Sequence, residues 1–226
     1  MGEEYLMFYW LAEIIPLAAT IFSFIYGLKN FFKKGKPLFL QSITMAMGCH
    51  ALGSIYHLCQ TLTLETVLEG FTPAYLGRIG FYLFLLTASY GQMDRIVDDG
   101  SLSAKPARCI AIAAPVLAVL IYLPSAFMED LPLSTKITLV LVWLPAIFAV
   151  YYNLKHALIP DFDFGFVKAI KPYNILATCL GFAELVCLTA WDYLDIPFLL
   201  VSEILFAALC ISTMIAAKKG AERWTI

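Results

Sequence analysis

Apolar residues gather into seven long runs separated by short polar, glycine- or proline-bearing stretches: 5–28, 38–63, 72–93, 107–124, 134–154, 169–192 and 197–217. A helix needs about 20 mostly apolar residues to cross a bilayer, so the pattern predicts an all-α integral membrane protein. Its seven transmembrane helices form a single domain over residues 1–226. The longest connections, Asp94 to Pro106 and Lys155 to Lys168, leave no room for a separate soluble domain. Pro37, Pro73, Pro106, Pro124, Pro132, Pro160 and Pro197 stand where helix boundaries are expected. Pro16, Pro115 and Pro145 fall within spans, where neighbouring helices can satisfy the freed carbonyls.

Composition agrees with this pattern. The chain is 61% hydrophobic and 14% charged with a mean hydropathy of +0.81, whereas soluble domains average roughly 45–50% and about 25%. A net charge of -2 offers no basic field for phosphate backbones, which excludes nucleic-acid partners. The six cysteines lie in or beside apolar runs without CxxC spacing, so free buried thiols are expected. The N-terminus lacks a basic leader, and Leu6 stands where a myristoylation signal needs Ser or Thr, so the first segment is expected to stay in the mature chain.

Lysine and arginine set the orientation. With the N-terminus outside and the C-terminus cytoplasmic, 13 of the 15 basic residues face inward: Lys29, Lys33, Lys34, Lys36, Arg95, Lys105, Arg108, Lys155, Lys168, Lys171, Lys218, Lys219 and Arg223. Arg78 and Lys136 remain on the outer half, where Glu3, Glu4, Glu65, Glu69, Glu129, Asp130 and Asp195 also lie. Aromatic residues from Tyr5 to Trp10, at Phe31 and Phe32, at Tyr151 and Tyr152, and at Trp191 and Tyr193 suit interfacial belts. Short loops and the lack of targeting signals favour a bacterial inner membrane.

Five ionisable residues fall inside spans: Glu13, His57, Arg78, Glu184 and Glu203. At about 1.5 Å per residue, each sits roughly 9 to 12 Å below the outer surface, although the helices alternate in direction. Such groups cost roughly 2.5–3.5 kcal/mol each near a helix centre unless they pair or line water, so they are expected to face one another. Three carboxylates against one arginine and one histidine leave an acid surplus. That surplus calls for a proton, a charged His57, or a cationic ligand.

Helical spacing extends the cluster. His50, Gly53, Ser54, His57 and Thr61 share one stripe of the second helix, and Arg78, Tyr82, Leu85, Ser89 and Gln92 one of the third. Glu203 continues to Phe206, Ala207 and Cys210. Trp143, two residues before Pro145, is placed to form an aromatic wall, and His50 to extend a proton path inward. The expected ligand-binding set is therefore Glu13, His57, Arg78, Tyr82, Trp143, Glu184 and Glu203. The plainer alternative is that these groups only hold helices together, as small and polar residues do in membranes.

The seven-span plan is similar to that of microbial rhodopsins, but the last helix, IPFLLVSEILFAALCISTMIAAKK, has no mid-membrane lysine for a retinal Schiff base. No retinal is expected. Seven-helix lipid hydrolases that hold zinc through several histidines are similar in size, yet the third histidine, His156, falls in an inner loop. A metal would have to be held by one or two histidines with carboxylates. Small transporters built as three helices, a linker helix and three more share the length and orientation. A weak internal repeat supports that 3+1+3 plan: Thr44, Gly48 and His50 against Thr178, Gly181 and Glu184. The favoured expectation is a transporter with an outward-opening pocket for a small polar solute, cationic or zwitterionic, and no catalytic residues. The alternatives are a seven-helix sensor signalling to a cytoplasmic or membrane protein partner, and an intramembrane lipid hydrolase using metal or acid–base chemistry. The sequence does not set the oligomeric state.

Overall fold

The computed structural model describes residues 3–64, 71–98, 100–128, 130–160, 165–193 and 196–224. Glu65, Glu69, Glu129 and Asp195, and the side chains of Glu3, Glu4, Tyr5, Arg95, Trp191 and Tyr193, lie outside what is described. Of the described residues 90% are helical and none is in a strand. In chain order the helices are α1 (Glu3–Phe31), α2 (Leu38–Leu64), α3 (Pro73–Leu86), a π-helical segment (Thr87–Met93), α4 (Asp94–Val97), a 3-10 turn (Leu102–Ala104), α5 (Lys105–Ala111), α6 (Ala113–Phe127), α7 (Leu133–Leu158), α8 (Phe166–Tyr193) and α9 (Ile196–Trp224).

Among the described residues six helical stretches are long and apolar enough to cross a membrane: Trp10–Phe31, Leu38–Thr63, Leu102–Phe127, Leu133–Leu158, Val167–Thr189 and Pro197–Arg223. The third predicted span, 72–93, is helical throughout but divides at Thr87 into α and π turns, and is not among the six. Pro124, read as a boundary, lies inside α6. Lacking an amide proton, it leaves the Leu120 carbonyl without its partner in the helix ladder, a single lost bond in the penultimate turn of α6. Pro73 and Pro132 do mark helix starts, at the first position of α3 and the N-cap of α7.

Polar residues sit in these apolar helices by turning their hydroxyls onto the preceding turn. Thr44 donates to the Leu40 carbonyl at 2.8 Å, Thr178 to Asn174 at 2.8 Å, Thr189 to Leu185 at 3.0 Å and Ser202 to Phe198 at 3.0 Å. Thr20 donates to the Pro16 carbonyl at 2.9 Å.

The helices pack in a ring. α1 lies against α2, α2 against α3, α3 against α7, α7 against α8, α8 against α9, and α9 returns to α1. α6 stands outside, touching α7 and α8, and its stretch is the least buried. Its Val116, Leu117 and Leu120 are exposed, as are Ile110 of α5 and Phe22, Leu52, Leu76, Leu144 and Val201 elsewhere. An apolar perimeter of this kind suits lipid and not water. The core holds Ile43, Met47, Phe81, Tyr82, Leu85, Ile170, Tyr173, Leu180 and Phe206.

α2 and α3 meet backbone to backbone. A Cβ on Gly77 would stand 2.6 Å from the Cys49 carbonyl oxygen and 2.6 Å from Gly53 Cα, and one on Gly53 would stand 2.7 Å from the Ala74 oxygen. This crossing of small residues brings Arg78, the next residue of α3, against the polar stripe of α2.

All six cysteines are free. Cys187 and Cys210 are buried as expected, but Cys59, Cys109 and Cys179 are exposed on helix surfaces. Apolar surroundings in sequence do not require a residue to face the core when the outer face is also apolar.

Candidate functional site

Four helices bring four of the five predicted ionisable residues into two ion-paired groups. Glu184 of α8 is wholly buried and is the hub. One carboxylate oxygen accepts from the Arg78 guanidinium of α3; the other lies 2.9 Å from His50 Nε2 of α2. With the Nε2 proton assigned to this bond, His50 Nδ1 accepts from the Ser54 hydroxyl at 3.4 Å. The His50 ring is wedged between Phe206, 4.7 Å between centroids, and Phe81 at 5.5 Å. A second pair joins α1 to α2, with His57 Nε2 3.2 Å from Glu13 Oε1. His50, expected to extend a proton path inward, meets the ionic cluster through Glu184. The His50–Glu184 bond joins residues 134 apart in sequence and reaches across the ring from α2 to α8.

Tyr82 packs one turn beyond Arg78 and donates to the Gly181 carbonyl at 2.7 Å, bracing α3 on α8. Trp143 is buried against Tyr122, with ring centroids 5.4 Å apart, and its indole N–H has no hydrogen-bond partner among the described residues. Its recorded ring contact is with α6, and no described contact joins it to the charged cluster. Gln60 of α2 likewise buries an unpartnered carbonyl oxygen.

Glu203 of α9 differs from the other acids. It is 4% exposed and forms no ion pair among the described residues, while Glu184, Arg78 and Glu13 all lie within its electrostatic range. Its near neighbour is the Cys187 thiol of α8, a residue the sequence reading did not select. Cys187 lies three residues after Glu184 and so shares its helix face, a spacing that could have flagged it.

A second ionic network, also missed in sequence, lies at the opposite end of the ring. Asp94 of α4 accepts from Lys155 and, at 2.9 Å, from His156 Nε2. Asp98 accepts from Lys155 at 3.1 Å and from Arg108 of α5 at 2.8 and 2.5 Å. His156, expected in a loop, is buried in the last turn of α7, because the helix continues until Leu158 and its side chain finds an acid there. The Lys155 ammonium also stands over the Tyr152 ring, 4.7 Å from its centroid. From Arg78 to Asp94 is 16 residues, about 24 Å of helix rise, so the two networks mark the two ends of one helical rod. Between them lie the π turns, where Ser89 is buried and Gln92 donates to Ser42 of α2 at 3.0 Å. Such wide turns recur at functional positions.

The Arg108 fork holds the Asp98 carboxyl well below the usual carboxylate range. Burial pushes Asp94 up, but the bonds from His156 and Lys155 outweigh it and leave Asp94 lowered too. A depressed folded pKa means that this stabilisation is complete above the unfolded value of about 3.9 and is lost as pH falls below it. Melting temperature in nanodiscs is therefore expected to drop as pH falls below about 4, with a shallower acid limb in Asp98→Asn. An unchanged acid limb would show that Asp98 is not held in this way.

Among the described residues no group of three or more His, Cys, Asp or Glu side chains stands close enough to share a metal ion. Comparison of the chain with protein-family models, curated proteins and solved structures finds no match.

Proposed function

We propose that this chain is a seven-span membrane transporter, N-terminus outside and C-terminus cytoplasmic, whose outer ionic cluster takes up a small cationic solute. The observation that carries the reading is Glu203. The other buried acids have partners: Glu184 holds Arg78 and His50, and Glu13 holds His57. Glu203 is left as a buried carboxyl with no basic partner among the described residues. A carboxylate in so apolar a setting needs a counter-cation, and an ammonium group from a solute supplies one; between solutes a proton takes its place. Arg78 is engaged by Glu184, so the cluster offers an anionic acceptor and no free cation. This favours amines over the wider cationic-or-zwitterionic class.

The ring supports transport over sensing. Three helices (α1–α3) face three (α7–α9) with α5–α6 outside, an arrangement consistent with a 3+1+3 repeat. Ionic networks close both ends, as alternating access requires: the outer set opens toward solute, and the Asp94–Lys155–Asp98–Arg108 set opens toward the other side. The π turns lie between them, where a change to α geometry would rotate one end of the rod relative to the other.

The test is a melting-temperature screen of the protein in nanodiscs against ethanolamine, choline, glycine betaine, putrescine and divalent metals. At a hundredfold excess over Kd, a ligand of the native state adds about 2.7 kcal/mol. Stabilisation by an amine is expected, and Glu203→Gln abolishes it. Stabilisation by metal alone, or by nothing, overturns the reading. Orientation is checked separately with single cysteines at Asp130 and Lys33 in a cysteine-free background. In intact cells an impermeant maleimide is expected to label the first and not the second, and the reverse would refute the topology.

A further inference from the structure

The ends of α8 and α9 on the lysine-rich side enclose a cleft of about 340 Å³, lined by Pro172 and Leu176 of α8 and Ser212, Ile215, Lys219 and Arg223 of α9. Gly220 and Ala169 also line it. A Cβ on Gly220 would stand 2.9 Å from the Ala169 carbonyl oxygen, so the two backbones touch at that level. Pro172, Ser212 and Ile215 are exposed, which places the cleft on the perimeter of the ring and not in its interior. One wall is apolar and the mouth is cationic.

The two cations at the mouth have no ion pair among the described residues. Their neighbour Lys218 shows the contrast: it reaches Glu222 at 4.0 Å and Asn30 at 3.5 Å, and stands 5.6 Å from the Tyr26 ring centroid. Lys168 and Lys171, exposed on the first turns of α8, add positive charge at the same end. An apolar slot that opens sideways from a membrane bundle beneath several cations has the chemistry of a phospholipid with a net negative headgroup.

We propose that this cleft binds one anionic phospholipid from the leaflet at the lysine-rich end, its phosphate between Lys219 and Arg223 and an acyl chain against Leu176 and Ile215. The two cations are worth about fivefold in affinity each at an anionic surface. The site is separate from Glu203 and stands whether or not the solute reading does.

The experiment is native mass spectrometry of the purified full chain titrated with dioleoyl phosphatidylglycerol and with dioleoyl phosphatidylcholine. The first lipid bound is expected to prefer phosphatidylglycerol. Lys219→Gln with Arg223→Gln reduces that preference about 25-fold. Ser212→Trp keeps the charges and fills the slot; it is expected to weaken the first binding event for both lipids. Lys33→Gln with Lys34→Gln, exposed cations between α1 and α2, leaves the preference intact. Equal binding of the two lipids, a preference that survives the double variant, or one lost equally in the Lys33 and Lys34 control would overturn the site.

Discussion

Arg78→Met is expected to lower the stability of the bundle by about 3–5 kcal/mol, the cost of leaving a buried charge without its partner. Glu184 is wholly buried, and without the guanidinium it retains only His50. The loss is attributable to the stranded carboxylate if a second change removes it. In Arg78→Met with Glu184→Gln the amide oxygen still accepts from His50 Nε2, no net charge is buried, and most of the loss is recovered. Buried ion pairs replaced as a unit by neutral groups of similar volume are often neutral in stability. Thermal melting in nanodiscs of the two single variants and the double variant measures the coupling. If the double variant is as unstable as the sum of the singles, the Arg78–Glu184 contact is not what holds α3 to α8.

Gly77→Leu is the second large effect. Its Cβ alone would meet the Cys49 carbonyl oxygen and Gly53 Cα at 2.6 Å, and both are backbone atoms that cannot swing aside. Overpacking typically costs about 1–3 kcal/mol where side chains can adjust; here α2 and α3 must separate, so a loss of about 3 kcal/mol or more is expected. Gly77→Ala falls in the lower part of that range. Gly91→Ala is the control, because a Cβ there would find its nearest neighbour, Thr87 Cγ2, at an ordinary 3.7 Å. A Gly77→Leu protein that melts with the wild type would show that the α2–α3 crossing is looser than described.

Much of the architecture was legible because lipid imposes a single rule, that backbone polar groups pair within the segment. The apolar runs therefore mark the helices to within a few residues at most ends, from 38–63 against Leu38–Leu64 to 134–154 against Leu133–Leu158. The π turns at Thr87–Met93 were not legible, since their residues, TASYGQM, carry no breaker that distinguishes a wide turn from an α turn. The burial cost of charge likewise signalled that Glu13, His57, Arg78 and Glu184 need partners. Which partner each takes depends on contacts across as many as 134 residues, and a depth counted from span ends places His50 below the Glu184 carboxylate that it meets. The opposite network was hidden for a related reason. Lys155 and His156 read as loop residues because the apolar run thins before the helix ends, and Asp94 and Asp98 become informative only through the contact of α4 with α7.

On the proposed function the buried Glu203 carboxyl takes a cationic solute across the membrane. The most direct measurement is uptake into proteoliposomes of the radiolabelled amine that most stabilises the wild type, with Glu203→Gln reconstituted to the same density. Saturable uptake is expected of the wild type and none above empty liposomes of the variant, whose melting temperature without solute is not lowered. Saturable uptake that persists in Glu203→Gln, or tight amine binding with no uptake by either protein, would contradict it.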